Sequence, residues 1–550
     1  MTLLPIGVGT LAVLLGGYFL YARRIARHFS LDPARVTPAH ERSDGVDFVP
    51  AKAPLLLAQH FSAISAAGPI AGPILACLAF GWAPALAWIL LGCVFIGAAH
   101  DFAALVASVR HRACSVAEIL KERLGRRAGT LYLSFVWIAL VYVTVAFTDL
   151  TASEFVKTAA PGSGATDYGG AVASSSAMYL LLAVGLGVAM ARLRIPLAVL
   201  TVVSVGLLLA IIGLGRAMPL ALPASVAGEH PRKAWDLLIL AYCFAAALMP
   251  LGLLLLPRGY LGGFLLYAFL ASGVVGLLGG GIEVRYPAFV AWETPKGQGL
   301  FPFVFVMIAC GACSGFHGLV CSGTTSRQLD REPDARPVGY GAMLLEGLIA
   351  VISLSCVVML PLGGAGEKPD TDMVFARGIA RFVSVLGVPE DLGISFGLLA
   401  LATFVYDTLD VCTRLGRYIL QELTGLRGRA GAVLATALTL APAAAFLMAA
   451  KEDAYKDVWP AFGTSNQLLA ALTLMAVSVW LRAEGRRSWF TAAPAVFLLV
   501  MTVWSLLWSI LHWSANPLIG GISVVLLALA ALLTFECGRA YLRPRTAPAG

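Results

Sequence analysis

Long apolar runs recur along the whole chain at a spacing that suits membrane-spanning helices. A helix needs about 20 mostly apolar residues to cross a hydrocarbon core of about 30 Å. On this basis the sequence predicts fifteen spans, at residues 3–21, 54–80, 82–108, 130–152, 177–195, 196–215, 235–256, 259–281, 301–325, 337–361, 392–413, 431–450, 459–481, 490–511 and 516–537. The predicted fold class is therefore an all-α polytopic membrane protein.

The segments between the predicted spans are too short to form a soluble domain, so one transmembrane domain over 1–550 is expected. Basic residues follow the first apolar run and none precedes it, which predicts a first spanning helix instead of a cleaved signal peptide. The domain is expected to comprise an N-terminal helix and cytoplasmic loop, two halves, and C-terminal helices with a cytoplasmic tail, at 1–53, 54–281, 301–481 and 482–550.

Positive charge predicts the orientation. With the N-terminus outside, 28 of the 39 Lys and Arg residues fall on the inner side, where cytoplasmic loops collect them. The C-terminus is then cytoplasmic. The composition, with 59% hydrophobic and 13% charged residues, excludes a water-soluble enzyme. The net charge of +8 flanks the spans instead of forming one patch, so no nucleic-acid partner is expected.

Glycine and proline lie inside two of the spans and predict interrupted helices near 60–76 and 310–323. Broken backbone at membrane depth is tolerated where it is buried in protein or lines a wet cavity. Its helix ends can present dipoles to a solute. Close helix packing is the alternative use of these glycines.

The surroundings of the two breaks are matched. Asp101 follows Gly68 by 33 residues and Glu346 follows Gly315 by 31, each in the next span. The spans after those again hold acids, Asp149 in one case and Asp407 with Asp410 in the other. Because seven crossings separate the breaks, the two units run in opposite senses, which predicts a 5+5 inverted-repeat core with its site at the repeat interface.

Polar residues at membrane depth supply the candidate chemistry, since such residues are rare there and usually paired or functional. Acids and a histidine are candidate proton carriers, with structural ion pairs as the alternative: Asp101, Glu346, Asp149, Asp407, Asp410 and His100. Glycines, hydroxyls, amides and a second histidine near the breaks are candidate substrate ligands, with helix capping as the alternative: Gly68, Gly72, Gly315, His317, Ser322, Thr324, Thr325, Asn466 and Gln467. These features indicate an ion-coupled carrier for a small anion or zwitterion.

No cofactor or metal is expected. Cys310, Cys313, His317 and Cys321 share one face only on an unbroken helix, and this segment is rich in glycine. The sequence holds no G-x-x-x-x-G-K-[ST] motif, which argues against ATP-driven pumping. Residues 372–387 alternate apolar and charged positions and predict an amphipathic helix on the outer surface.

Several motifs resemble those of the carbon starvation protein CstA family, which groups with the amino acid–polyamine–organocation transporters. They are A-G-P-I-A-G-P-I-L-A (67–76), H-D-F-A-A-L-V-A-S-V-R-H (100–111), C-G-A-C-S-G-F-H-G-L-V-C-S-G-T-T-S (310–326), D-A-R-P-V-G-Y-G-A-M-L-L-E (334–346), L-D-V-C-T-R (409–414) and W-P-A-F-G-T-S-N-Q-L-L-A (459–470). Two departures from the family pattern are Gly259 in P-R-G-Y-L and the D-V-C-T-R that begins at Asp410.

The resemblance implies an inner-membrane uptake system for pyruvate or short peptides, driven by a proton gradient and used during nutrient limitation. The primary expectation is a proton-coupled pyruvate symporter, with peptide uptake as its rival. Sodium coupling, a nutrient sensor without transport, a passive channel and an intramembrane metalloenzyme remain alternatives. Membrane lipid, the substrate and the coupling proton are the expected partners.

Overall fold

A computed structural model describes residues 1–44, 48–65, 67–157, 168–193, 195–250, 252–279, 281–361, 370–451, 454–515 and 517–542. These residues are predominantly helical, and extended pairing among them is limited to three isolated bridges. The predicted all-α class is confirmed.

The longer helices are numbered in chain order. They are α1 Leu4–Phe29, α2 Ala53–Ile64, α3 Gly68–Phe80, α4 Trp82–Arg110, α5 Val116–Leu124, α6 Arg126–Phe155, α7 Tyr168–Arg192, α8 Leu197–Ala217, α9 Pro231–Leu248, α10 Leu255–Gly279, α11 Leu300–Met307, α12 Gly315–Gly323, α13 Glu332–Val358, α14 Thr371–Ser384, α15 Glu390–Thr424, α16 Gly428–Ala449, α17 Tyr455–Ala483, α18 Trp489–Leu511 and α19 Pro517–Leu542. Short helical turns occur at Pro38–Glu41, Ala224–Ala227, Thr325–Arg327 and Trp513–Ala515.

Among the described residues, 12 helices are long and apolar enough to cross a membrane, or 13 if the bent pair α2 and α3 forms one span. The predicted windows 235–256 and 301–325 hold α9 and the pair α11 and α12, which lie outside that set. α9 begins with charged residues, and α11 and α12 are short and separated. The count of fifteen spans is therefore not confirmed.

The chain divides into two compact units, each built from segments of both predicted halves. Unit 1 comprises Met1–Pro5, Leu140–Tyr286 and Ser355–Trp459. Unit 2 comprises Ile6–Ala139, Pro287–Leu354 and Pro460–Gly550. Both predicted breaks lie in unit 2, together with the acids that follow them, Asp101 and Glu346.

In unit 1, α15 is the central helix and packs against α14, α16, α9 and α10. Two arginines of α15 close the C-terminal end of α9. Arg414 Nη2 donates to the carbonyls of Ala246 and Met249 at 2.8 and 2.9 Å, and Arg417 Nη1 donates to Ala247 O at 2.7 Å. Because the last carbonyls of a helix have no partner within it, these arginines satisfy α9 and also favour its dipole.

The predicted amphipathic segment forms α14, which confirms its helical character. Its apolar side chains, Val374, Phe375, Ile379 and Phe382, are buried, whereas Arg377 and Arg381 are exposed. The helix therefore packs along one face within unit 1.

In unit 2, α4 contacts α12 and the start of α13, while α11 contacts α3 and α18. Glu332 is fully buried and anchors the N-terminus of α13. Its Oε1 accepts a hydrogen bond from Arg110 Nε at 2.7 Å, and its Oε2 accepts from Asp32 N at 2.7 Å. One buried carboxylate thus joins the end of α4, the segment after α1 and the start of α13.

Candidate transport site

Both predicted interruptions are present in unit 2. α2 ends at Ile64 and α3 begins at Gly68, with a bend of 50° between them. α11 ends at Met307 and α12 begins at Gly315, so 308–314 separates two short helices. The expectation of two broken helices is therefore confirmed at the predicted positions.

The glycines at the breaks bring the two interrupted segments into close contact. A Cβ at Gly68 would overlap with the side chain of Cys310, and one at Gly72 would overlap with the carbonyl of Met307. Gly315 is similarly closed against the backbone of Asn466. These three glycines are therefore used for helix packing, which was the alternative interpretation, and substrate contact at them stays a prediction.

Two amides from α17 satisfy the free helix ends of the second break. Asn466 Oδ1 accepts a hydrogen bond from Phe316 N at 3.0 Å, in the first turn of α12. Gln467 Nε2 donates to Phe305 O at 2.7 Å, in the last turns of α11. The Gln467 Oε1 atom is buried and has no hydrogen-bond partner among the described residues. The break thus retains a hydrogen-bond acceptor that is not used internally.

Next to the second break, four titratable side chains from α4, α12 and α13 form a continuous buried chain. Asp101 Oδ1 lies 2.8 Å from His100 Nδ1, and its Oδ2 lies 2.9 Å from His317 Nδ1. The other ring nitrogen of His317 lies 3.0 Å from Glu346 Oε2. All four side chains are fully buried. His317 therefore bridges the acid that follows the first break and the acid that follows the second.

The geometry of this bridge requires an additional proton. A neutral imidazole donates from only one of its two nitrogens. The other nitrogen would then direct its lone pair at an ionised carboxylate about 3 Å away, which is repulsive. Either His317 is an imidazolium or one carboxyl is protonated. Gain or loss of that proton changes the buried charge by one, which is the property that a coupling site requires.

The buried chain of His100, Asp101, His317 and Glu346, here called the relay, has polar neighbours on α2 and at the end of α12. His60 Nδ1 lies 2.8 Å from Thr325 Oγ1, and His60 Nε2 lies 3.8 Å from Cys321 Sγ. The same thiol donates to the Asp101 carbonyl at 3.4 Å. Thr325 therefore belongs to this buried cluster, and His60 joins it from the other interrupted helix.

Two predicted ligands have internal partners instead. Ser322 Oγ donates to Gly318 O at 2.7 Å, and Thr324 Oγ1 donates to Val320 O at 3.1 Å. Such bonds to the carbonyl four residues earlier satisfy a hydroxyl within its own helix. The role of Ser322 and Thr324 in substrate binding stays a prediction.

The remaining predicted coupling acids belong to unit 1 and are paired with arginine. Asp149 Oδ1 accepts from Arg232 Nε at 2.7 Å, and its Oδ2 accepts from Tyr455 N at 2.7 Å. The pairing was not predicted, because Arg232 lies just before the window 235–256. Asp149 therefore forms an ion pair with Arg232 and also accepts a hydrogen bond from the backbone at the N-terminal end of α17.

Asp407 and Asp410 share one fully buried arginine. Arg258 Nε lies 2.6 Å from Asp407 Oδ1, and Arg258 Nη1 lies 2.5 Å from Asp410 Oδ2. Tyr242 OH donates to the same Asp410 oxygen at 2.9 Å. Arg414 follows Asp410 by four residues on the same helix, a spacing that would allow an ion pair, but its guanidinium donates to carbonyls of α9. The sequence analysis did not predict a role for Arg258, which appears there only within the P-R-G-Y-L motif that contains Gly259.

Sequence reasoning also missed Glu154, a fully buried acid two residues beyond the window 130–152. Extending the predicted window by three residues would have included this acid, because α6 continues to Phe155. The three clustered cysteines, Cys310, Cys313 and Cys321, are buried free thiols, and no group of metal-ligating side chains occurs among the residues described.

Comparison with known proteins gives consistent matches. The model of the carbon starvation protein CstA family matches residues 2–368 and 365–505. A peptide transporter CstA of Helicobacter pylori is 31% identical over 579 residues, which cover 92% of this chain and 82% of the relative. The pyruvate/proton symporter BtsT of Escherichia coli is 29% identical, with 94% and 82% covered. A peptide transporter CstA of Bacillus subtilis is 28% identical, with 96% and 93% covered.

The family model covers more than half of the chain, and the relatives align along nearly all of it. The apolar helices agree with these matches. The chain is a multi-pass membrane protein that belongs to the carbon starvation protein CstA family.

Proposed function

We propose that this protein is a secondary active transporter that imports pyruvate together with protons. The observation that supports this proposal most directly is the position of the His317 imidazole between Asp101 and Glu346. His317 lies in the first turn of α12, immediately after the second break. One of the relatives is named a pyruvate/proton symporter, which supports the choice of substrate and coupling ion.

The proposed mechanism uses the additional proton of the relay. Protonation removes one buried negative charge, which lowers the cost of keeping the carboxylates away from water. A carboxylate substrate would bind at the start of α12, where backbone N–H groups and the positive end of the helix dipole favour an anion. In this structure Asn466 Oδ1 accepts the hydrogen bond of one of these groups, Phe316 N. A bound carboxylate would replace Asn466 as the acceptor, so we propose that the Asn466 amide changes its hydrogen bonding when substrate binds.

An uptake assay tests this function. Purified protein in proteoliposomes, with an acidic exterior and no sodium, should accumulate labelled pyruvate above its equilibrium distribution. Asp101→Asn and Glu346→Gln should abolish accumulation. The control Asp391→Asn should not, because Asp391 is an exposed acid whose side chain contacts only surface partners, Tyr168 OH at 3.0 Å and Arg216 Nη2 at 3.4 Å. Absence of uptake in the unaltered protein, or accumulation unchanged in both relay variants, would refute the proposal.

Uptake of short peptides is the second candidate. Two of the relatives described above are named peptide transporters. Di- and tripeptides should compete with labelled pyruvate if one site serves both, whereas a pyruvate-specific site should ignore them. Binding of pyruvate without any transport would instead favour a sensor, and flux that never exceeds the gradient would favour a channel.

The cellular arrangement is also proposed. The protein is placed in the inner membrane as one transmembrane domain, with the N-terminus outside and the C-terminus cytoplasmic. The presence of both interrupted segments in one unit supports the 5+5 inverted repeat, because the site of such transporters is formed by the discontinuous helices of the two repeats.

A further inference from the structure

Glu154 is a buried acid in unit 1 that the proposed mechanism does not use. It lies in the last turn of α6, and its side chain is fully buried. Neither carboxylate oxygen has a hydrogen-bond partner among the described residues. An ionised carboxylate in such a place costs several kcal/mol. In the folded protein Glu154 therefore holds a proton or a cation.

Three charged residues of increasing exposure lie close enough to Glu154 to act on it electrostatically. The Asp372 side chain is 0% exposed, Lys157 is 12% exposed and Asp370 is 44% exposed. Lys157 Nζ pairs with Asp370 Oδ2 at 2.8 Å and also with Asp372. Ser153 Oγ lies 3.3 Å from Asp372 Oδ2. The buried acid thus adjoins a polar route to the aqueous phase.

The charges of this outer acidic cluster, defined as Glu154, Asp370, Asp372 and Lys157, do not balance. Lys157, together with Lys456 of α17 that faces Asp370, supplies two positive charges against three carboxyl groups. Desolvation raises the pKa of Asp372 to about 6, although the Lys157 ammonium acts in the opposite direction. The buried carboxyl of Asp372, at the inner end of the route, therefore exchanges a proton near neutral pH, which supports proton transfer through the cluster.

Lys157 acts on Glu154 electrostatically, but its ammonium already pairs with Asp370 and Asp372. Tyr406 of α15 is the further titratable group that faces it electrostatically. Asp149, five residues earlier on α6, is already compensated by Arg232. Glu154 is thus a buried acid that can accept a proton, whereas Asp149 is held as an ion pair.

We propose that Glu154 carries a second transported proton, which it exchanges with the outer solution through Asp372, Lys157 and Asp370. This inference rests on the proposed function, in which the relay of unit 2 carries the first proton. Two protons with one pyruvate anion move one net positive charge. Transport would therefore respond to membrane potential as well as to the pH gradient.

Proteoliposomes with equal pH on both sides test this consequence. A tenfold outward K⁺ gradient with valinomycin should raise the steady-state accumulation of pyruvate about tenfold for one net charge. Glu154→Gln should still accumulate pyruvate in a pH gradient but should ignore the potential. Glu154→Asp, which retains a titratable group, and the control Asp391→Asn should keep the response.

Several results would overturn the inference. They are an unaltered protein that accumulates pyruvate in a pH gradient but not in response to potential, a potential response retained in Glu154→Gln, or a potential response that depends on Na⁺. The first of these needs no variant, so the test stands even if Glu154→Gln fails to fold. Failure of the unaltered protein to transport pyruvate under any gradient would refute the proposed function itself.

Discussion

At the scale of single residues, the buried acids fall into two groups. Asp149 is paired with Arg232, and Asp407 shares Arg258 with Asp410, so each of these carboxylates faces a guanidinium within the fold. Glu346 lies 3.0 Å from the titratable ring of His317, and Glu154 has no hydrogen-bond partner for either oxygen among the described residues. The first group fits a structural role, and the second fits proton exchange. The sequence alone could not separate the groups, because it gives the acids but not their partners.

The close contact at the breaks gives a prediction for glycine. Gly72→Ala should lower the midpoint of thermal unfolding in detergent, because the added methyl overlaps with the Met307 carbonyl. Overpacking of this kind costs about 1–3 kcal/mol. The matched control is Gly16→Ala in α1, where a Cβ meets nothing within 4 Å. Equal midpoints for the two variants would contradict the close approach of α3 and α11.

The shared arginine of unit 1 gives a second prediction. Arg258→Met should destabilise the protein by about 3–5 kcal/mol, because it leaves two carboxylates without their buried partner. Adding Asp407→Asn and Asp410→Asn should recover much of the loss, since the unpaired charges are then removed. Thermal unfolding of the single and triple variants provides the measurement. A triple variant less stable than Arg258→Met would show that charge compensation is not the cause.

At the scale of elements, the interruptions were predictable and their internal partners were not. Glycine and proline in the sequence indicate where α2 and α11 end, because these residues disfavour a continuous helix. Asn466 and Gln467 occur more than 140 residues later, and no local pattern shows which helix ends they satisfy. The same holds for α9, because the arginines that satisfy its last carbonyls lie on α15, far along the chain.

The junction between α6 and α14 should make stability depend on pH. The pKa of Asp372 is raised by burial to about 6, so the protonated carboxyl stabilises the folded protein. This contribution is complete below about pH 4 and is lost as the pH rises through about 6. Asp370 has the opposite sign: despite burial, its hydrogen bond with Asp372 and the Lys157 ammonium hold its pKa at about 2, below the window considered.

The unfolding midpoint of the unaltered protein should therefore fall between pH 4.5 and 7 by more than that of Asp372→Asn. Asp391→Asn, a carboxyl removed elsewhere on the surface of unit 1, serves as the control and should keep the dependence of the unaltered protein. A slope that is the same in Asp372→Asn and in the control would rule out Asp372 as its source.

At the scale of the whole molecule, composition was sufficient to predict a helical membrane protein, and the family motifs were sufficient to predict the family. The number of spans was harder to predict. Apolar windows around α9 and around α11 with α12 meet the length requirement in sequence, but the helices there are charged at one end or divided. The grouping of helices into two units depends on long-range packing, which hydropathy does not report.

The charge distribution predicts which loops face the cytoplasm, and cysteine labelling can test it. In a variant that lacks the native cysteines, Leu386→Cys should react with a membrane-impermeant maleimide on intact cells, whereas Ala483→Cys should react only after permeabilisation. Leu386 lies in the predicted outer loop after α14, and Ala483 lies at the predicted inner end of α17. The reverse labelling pattern would invert the proposed orientation.

The tight contact of Gly68 with Cys310 and of Gly72 with Met307 has an energetic consequence for affinity. A solute that binds between α3 and α11 requires a conformation in which the two helices are separated. The apparent dissociation constant is therefore the intrinsic one divided by the fraction of molecules in that conformation. A side chain that weakens this seam would tighten apparent binding and, in the same step, let solute cross without its proton. Under the proposed function, small residues at these two positions favour strict coupling at the expense of affinity.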